Sequence, residues 1–456
     1  LKSRGWFDRV LAQSRGDGLR ARLIRGGLGS ASIQAISQVL ALALGIVLAR
    51  GLGAEGYGTY AYAFAIMSLL IVAAEAGVPT LLLREVAAAH GQQRWGLLRG
   101  ALIRAGQLVL LTSVCVSVVG LLVLWAKADR FNAAELYTLL FMLLVLPLVA
   151  LTKTVGGAMR GLHRVVAGQA VEMLMRPLLV LLGVGALFLL APLFRQPQYV
   201  MVTQFLAAGV VLLAGGWMLT RYLPVPIRTQ PVEYRSSQWL RSALPFTLIG
   251  GAGIINNQAD IIMLGWFSSA ADVGTYRVAA QGATLVAFGL QAVSALVAPH
   301  FAQLYGKGDM EKLQRLATGS ARITLLAALP VVVAFIFFGE GIVTLVFGAE
   351  FAVSHLPLAI LAIGQLTLTL FGLAGPLVSM CGFESVVSKA MWLSALGNIV
   401  LNLILIPIFG VAGAAASTAT TVTLWSLFLF LFAKQKMDII VCPINCLRKK
   451  VRDGTG

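Results

Sequence analysis

Ionisable side chains set inside long uncharged runs are the residues of this 456-residue chain best placed to do chemistry. A charge at the centre of an apolar membrane helix costs about 2.5–3.5 kcal/mol on insertion scales, so each such residue needs a partner or a task. Glu172 and Arg176, in VEMLMRP, stand four apart on one helix face and can neutralise each other. On the other reading, Arg176 offers an anionic oxygen a permanently charged, two-pronged donor that lysine lacks. Asp260 and Arg277 fall within about 10 Å of the same end of two consecutive helices, at ~1.5 Å per residue, which predicts an ion-pair clasp. On the helix of Arg277, the residues Gln281, Thr284, Phe288 and Gln291 continue along one face, and Asn256 sits one turn before Asp260. A polar stripe of this kind suits water, a sugar or a neighbouring helix rather than lipid. Glu75 is either a coupling carboxylate or a helix-end residue reaching for headgroups. Arg84 binds an anion or simply adds to the charge bias of its membrane face.

A second pattern competes for attention. In RGLGAEGYGTY, residues 50–60, Gly51, Gly53 and Gly56 have the G-x-G-x-x-G spacing of a dinucleotide-binding loop. That loop works only between a buried strand and a helix N-terminus, with an acidic ribose ligand about 20 residues on. Residues 26–49 hold no charge and are far too long for a strand, and a second uncharged run follows from Gly56 to Ala74. Glu75, the acid at the expected offset, stands at the far end of that run. The glycines therefore predict a turn between two helices, and no nucleotide cofactor.

The elements that must position these residues are membrane helices. Hydrophobic residues make up 59% of the chain and charged residues 12%, with a mean hydropathy of +0.88, against roughly 45–50% and ~25% in soluble domains. Twelve nearly uncharged stretches are expected to cross the membrane: 26–49, 56–76, 105–126, 136–152, 165–191, 196–220, 242–266, 273–299, 323–339, 355–380, 386–409 and 411–433. Pro407 and Gly410 divide the last pair. A net charge of +17 would suit nucleic acid, but the basic residues sit in short loops between apolar segments. With the N-terminus inside, 29 of the 35 Lys and Arg are cytoplasmic and four are outside, while Arg176 and Arg277 lie within helices. Both termini are then cytoplasmic, and the excess positive charge faces anionic lipids. The first helix reads as a signal anchor in a chain that opens at Leu1 without methionine. Cys115 and Cys381 fall in helices; Cys442 and Cys446, in a cytoplasmic tail, have no histidine nearby and make a weak metal signal. No metal site is expected.

The halves of the chain repeat. GYGTYAYAF at 56–64 matches DVGTYRVAA at 272–280 through Gly58/Gly274, Thr59/Thr275 and Tyr60/Tyr276, and GLHRVV at 161–166 matches GFESVV at 382–387 at nearly the same offset. Two units of six helices entering the membrane in the same direction are related by an axis along the membrane normal, and a substrate path usually lies between them. The expected organisation is a basic N-terminal segment (1–27), a first six-helix lobe (28–221), a linker (222–240), a second lobe (241–433) and a basic tail (434–456). The second copy has FSSAAD where the first has GLGAEG, so the glycine spacing is not what the repeat preserves.

The run VLARGLGAEGYGTYAYAFAIMSLLIVAAEAGVPTLLLREVA at 47–87 resembles the opening of bacterial polysaccharide and O-antigen flippases of the multidrug/oligosaccharidyl-lipid/polysaccharide superfamily. ADIIMLGWFSSAADVGTYRVAAQ at 259–281 and APHFAQLYGKGD at 298–309 resemble its second half. The resemblance covers about residues 28–433. It implies an all-α integral membrane protein of two six-helix lobes around a central cavity, which carries a lipid-linked oligosaccharide across the bacterial inner membrane by alternating access. The charges and polar stripe inside the helices mark Arg176, Arg277, Arg84, Gln281 and Asn256 as candidate substrate-binding residues, with Glu172, Asp260 and Glu75 for ion pairing or coupling. Expected partners are the lipid-linked substrate, anionic lipids and polysaccharide polymerase machinery, without cofactor or nucleic acid. The main rival is a cation-coupled multidrug antiporter of the same superfamily, whose cavity should be apolar and acidic. A membrane glycosyltransferase is a poorer fit, because outer loops of about 5 to 15 residues leave no catalytic surface and no H-E-x-x-H, Walker-type loop or G-x-S-x-G occurs. A membrane scaffold would not need ions inside its helices.

Overall fold

The computed structural model describes residues 19–441, and among these the backbone is helical with no strand. Cys442, Cys446 and most of the basic end segments lie outside the described residues. In chain order the helices are α1 (Leu19–Glu75), α2 (Val78–Gly91), α3 (Trp95–Ala126), α4 (Ala133–Gly161), α5 (Val165–Gln169), a π turn (Ala170–Met175), α6 (Arg176–Leu190), α7 (Pro197–Tyr222) and α8 (Ser236–Phe267). There follow α9 (Ala270–Gly306), α10 (Met310–Phe347), α11 (His355–Phe371), α12 (Ala374–Val378), a second π turn (Ser379–Phe383) and α13 (Glu384–Met437).

Eight segments of the described residues are long and apolar enough to cross a membrane, which makes this a multi-pass membrane protein. The first, Gly29–Glu75, has 47 residues, or about 70 Å of helix against ~30 Å of hydrocarbon. It must bend, and it does so at Gly53, with φ 69° and ψ −177°. Only glycine reaches that conformation without strain, so the central glycine of the false nucleotide motif is the turn itself. Gly410 (φ 55°, ψ −129°) breaks α13 three residues after Pro407. Elsewhere the helices outrun their apolar runs. α4 continues to Gly161 rather than stopping near 152, α3 starts at Trp95 and α9 ends at Gly306. Arg, Lys, Gln and Leu all extend helices readily, so a charge ends an apolar stretch without ending the helix.

The chain clusters into two compact units: residues up to Val47 with Met67–Gly250, and Leu48–Ile66 with the residues from Gly251 on. The middle of α1, around its bend, thus packs with the second unit, and the first half of α8 packs with the first.

In the second unit α1 crosses α9 at two glycines. A β-carbon on Gly58 would meet the Ala270 carbonyl oxygen at 1.6 Å, and one on Gly274 would meet the Ala54 oxygen at 2.2 Å. Gly58 and Gly274 are the repeat partners found in the sequence, and each touches the carbonyl four residues before the other, so the repeat meets itself about a local two-fold axis. The bend is also tied down by charge. Glu350 Oε2 accepts from the Ala54 backbone N–H at 2.9 Å, while Arg50 Nε donates to the Val346 carbonyl at 2.8 Å near the end of α10. An anion therefore meets a helix start and a cation meets a helix end. A capping box starts α9, with Ser269 and Asp272 each bonded to the other's backbone N–H.

In the first unit the glycines of α4 do the equivalent work. A β-carbon on Gly157 would lie 2.5 Å from the Pro79 oxygen, and one on Gly168 would lie 2.6 Å from the Gly156 oxygen, so α2 and α5 both rest directly on the α4 backbone. Small residues at such crossings permit the close packing that drives helix association in lipid.

These contacts predict that Gly58→Ala lowers the thermal midpoint of the detergent-purified protein by an amount corresponding to about 1–3 kcal/mol of overpacking. Gly106→Ala, where a β-carbon meets nothing within 4 Å, should leave the midpoint unchanged or raise it. Equal midpoints for the two variants in a melting series would refute the crossing.

Candidate functional site

Two groups of polar residues lie inside the membrane helices, one in each unit. In the first unit, the Pro79–Gly157 contact stands one turn from Glu75 on one side and Lys153 on the other. Lys153 Nζ lies 2.8 Å from Glu75 Oε1. The Gly156–Gly168 contact likewise stands four residues before Arg160 and Glu172, and Arg160 Nη2 lies 3.0 Å from Glu172 Oε2. Glu172 thus has a cation from α4 at ion-pair distance, in addition to Arg176 four residues along its own chain. Arg176 follows the π turn, directly before Pro177, whose missing N–H favours such a local rearrangement. It stays near enough to act electrostatically on Glu75, as Lys153 and Glu172 do. Three cations against two carboxylates leave these five residues with one excess positive charge.

In the second unit Asp260 is 3% exposed. The clasp with Arg277 does not form. The neighbouring residue on α9, Tyr276, makes the contact instead, donating its hydroxyl to Asp260 Oδ2 at 2.6 Å. Thr418 Oγ1 donates to the same oxygen at 2.5 Å, and Asn402 Nδ2 donates to Oδ1 at 2.6 Å. Asn402 also donates to Asn398 Oδ1 at 3.0 Å. The physical reason for the correction is angular: consecutive helix residues point about 100° apart, so with Tyr276 turned to Asp260, Arg277 is turned away. Its guanidinium lies 5.9 Å from the Phe64 ring centre and acts on the Tyr57 hydroxyl. Among the described residues no carboxylate lies at ion-pair distance from Arg277. Tyr57 in turn donates to Gln281 Oε1 at 3.1 Å. Asp260 is thus a buried carboxylate met by three neutral donors, and the Asn402 Oδ1 beside it is buried without a hydrogen-bond partner.

The remaining expected residues lie apart from these groups. Asn256 donates to the Met391 carbonyl at 3.1 Å and accepts from Ser394 at 3.3 Å, and so joins α8 to α13. Arg84, on α2, pairs with its neighbour Glu85 at 3.0 Å and lies 5.7 Å from the Phe246 ring centre. Among the described residues no group of three or more His, Cys, Asp or Glu could hold a metal ion.

Comparison with known proteins bears on what these groups are for. The family model described as polysaccharide biosynthesis protein matches residues 23–305, more than half of the chain. The chain belongs to that family. A probable low-salt glycan biosynthesis flippase, Agl15, of Haloferax volcanii is 21% identical over 377 residues, covering 82% of this chain and 76% of its own. Two solved structures share the fold. An inward-facing multidrug resistance MATE transporter of the MOP superfamily has a TM-score of 0.72 at 15% identity, with 90% of this chain and 98% of that one covered. The lipid II flippase MurJ in an inward closed conformation has a TM-score of 0.69 at 14% identity, with 89% and 87% covered.

In this polysaccharide biosynthesis protein the sequence singles out one member of each contact, Glu75, Glu172 and Asp260, but not its partner. Lys153 and Arg160 lie beyond the apolar run that ends at 152, and so among the basic residues counted as cytoplasmic. Their spacing of seven, which puts both on one helix face, was the available signal. Asn398 and Asn402, four apart in a charge-free run, carried the same kind of signal.

The geometry predicts that Tyr276→Phe, by removing one donor from a buried carboxylate, destabilises the purified protein by about 1.5–3 kcal/mol. Arg277→Ala should cost well under half as much. Melting curves that rank the two in the opposite order would restore the clasp.

Proposed function

We propose that this protein is a flippase that carries a polyprenyl-diphosphate-linked oligosaccharide from the cytoplasmic to the outer leaflet of a bacterial inner membrane for surface polysaccharide synthesis. In this reading it works by alternating access, with twelve crossings in two lobes and both termini cytoplasmic. The observation that carries the proposal is the charge cluster of the first unit, in which Lys153, Arg160 and Arg176 outnumber Glu75 and Glu172 inside membrane helices. A diphosphate leaving the headgroup layer needs permanent positive charge in a medium where an unpaired ion is costly. Ion pairs meet that need in both directions: carboxylates hold the cations while the site is empty, and phosphate oxygens replace them when cargo arrives. Arg176 and Arg277 offer bidentate donors, while Gln281 and Tyr57 suit sugar hydroxyls. The resemblance to a glycan flippase across most of the chain supports the same cargo class.

Asp260 fits the coupling role. A buried carboxylate among neutral hydroxyls and amides changes its net charge only by taking up a proton or a monovalent cation, and that uptake would bias the helices that converge on it. A multidrug antiporter would need acidic groups available to a cationic drug, whereas Glu75 and Glu172 each have a cation at ion-pair distance and Asp260 is buried, with room for no more than a proton or small ion.

In cells, Arg176→Ala is expected to lower surface polysaccharide export at least about tenfold, the loss of one charged hydrogen bond in a desolvated site, and to leave the lipid-linked precursor on the cytoplasmic leaflet. Arg176→Lys should recover part of the loss. Normal export with Arg176→Ala, together with dye sensitivity in cells lacking the protein, would replace the flippase with the antiporter. In proteoliposomes, Asp260→Asn should abolish the dependence of transport on an imposed proton or sodium gradient; an unchanged dependence would remove Asp260 from the coupling step.

A further inference from the structure

The first unit contains a cavity of about 210 Å³ where α2, the start of α3 and the start of α8 meet. Its walls are apolar, with Val78, Leu81, Leu82, Ala105, Leu108 and Trp239 among them, and Leu244, which is 61% exposed, opens it to the outer surface of the unit. At this volume it lies below the roughly 300–1,000 Å³ of pockets that enclose whole organic ligands. It has too few polar groups for a sugar and too little room for an oligosaccharide. A segment of hydrocarbon chain fits both limits.

Two charged residues line the cavity, Glu85 and Arg104. They are not equivalent. Glu85 is already satisfied: Arg84 lies at 3.0 Å and the Trp239 indole N–H donates to its other oxygen at 3.2 Å. Arg104 has no carboxylate within ion-pair distance among the described residues. Its guanidinium donates to Gln107 Oε1 at 3.2 Å and stacks over the Tyr234 ring at 4.9 Å. That aromatic stack holds the plane of the guanidinium while most of its donors are left for another acceptor. Glu85 and Arg84 cancel, so the cavity sees one net positive charge, at its polar edge.

We propose that this cavity binds the head-proximal part of an anionic lipid, with one hydrocarbon chain inserted between α2, α3 and α8 and the phosphate held by Arg104. None of the residues of the Lys153–Arg160–Arg176 cluster lines this cavity, and the proposal does not depend on which cargo that cluster serves. Two membrane lipids have the required chemistry, a phospholipid of the surrounding leaflet and a polyprenyl phosphate.

The test is lipid titration of the detergent-purified full chain, read by native mass spectrometry, with dioleoyl phosphatidylglycerol, a polyprenyl monophosphate and dioleoyl phosphatidylcholine as probes. Both anionic lipids, or the polyprenyl phosphate alone, should bind more tightly than phosphatidylcholine. Arg104→Gln should weaken anionic-lipid binding about fivefold, the effect of one basic residue near an anionic headgroup. Ala105→Phe, which fills the cavity, should remove the remaining binding, with a lipid-free melting curve to check that the variant is folded. Equal affinity for the two anionic probes identifies a leaflet lipid as the occupant, and a preference for the polyprenyl phosphate identifies the carrier. Phosphatidylcholine binding as tightly as the anionic probes, or anionic-lipid affinity unchanged in Arg104→Gln, overturns the proposal.

Discussion

Where Gly58 meets the Ala270 carbonyl and Gly274 meets the Ala54 carbonyl, no side chain separates two membrane helices, and the same holds where Gly157 meets Pro79 and Gly168 meets Gly156. In lipid there is no hydrophobic force to press helices together, since the tails are as apolar as the side chains. Backbone contact at glycine supplies dispersion and fixes the register in a way that interleaved leucines would not. Once that register is set, residues one turn away have no freedom about whom they face. Arg160 is opposite Glu172 and Lys153 opposite Glu75 because, four residues off, Gly156 already touches Gly168 and Gly157 already touches Pro79. The ion pairs follow from the crossings, rather than producing them.

This order of causes explains how much of the molecule is legible in the sequence. The membrane class, the bend at Gly53, the break at Gly410 and the repeated Gly-Thr-Tyr are all local signals, and each has its counterpart in the structure. The identities of the buried charges were legible too, because an ion in an apolar run stands out. Their partners were not. The hairpin spacing points Asp260 to Arg277 and does not reveal Arg160 beside Glu172 or Lys153 beside Glu75, because these contacts are set by neighbouring helices and by a rotation of about 100° between Tyr276 and Arg277. Composition also understates helix length: α4 carries two cations beyond its apolar run, and both belong to the charge cluster.

The two units handle buried charge in different ways. In the first, carboxylates are met by full cations, and the residual charge is positive. In the second, the Asp260 carboxylate is met by a phenol, a hydroxyl and an amide, all neutral, and the cation of the same unit, Arg277, is turned away from it. An ion pair can exchange one partner for another of the same sign without leaving a bare charge, which is what reversible capture of an anion requires. A carboxylate held by neutral donors has no anion to exchange and responds only to a positive charge. On the flippase reading, the cluster of exchangeable ion pairs suits an anionic cargo and the neutral cage around Asp260 suits a coupling cation, before any shape or sugar contact is considered.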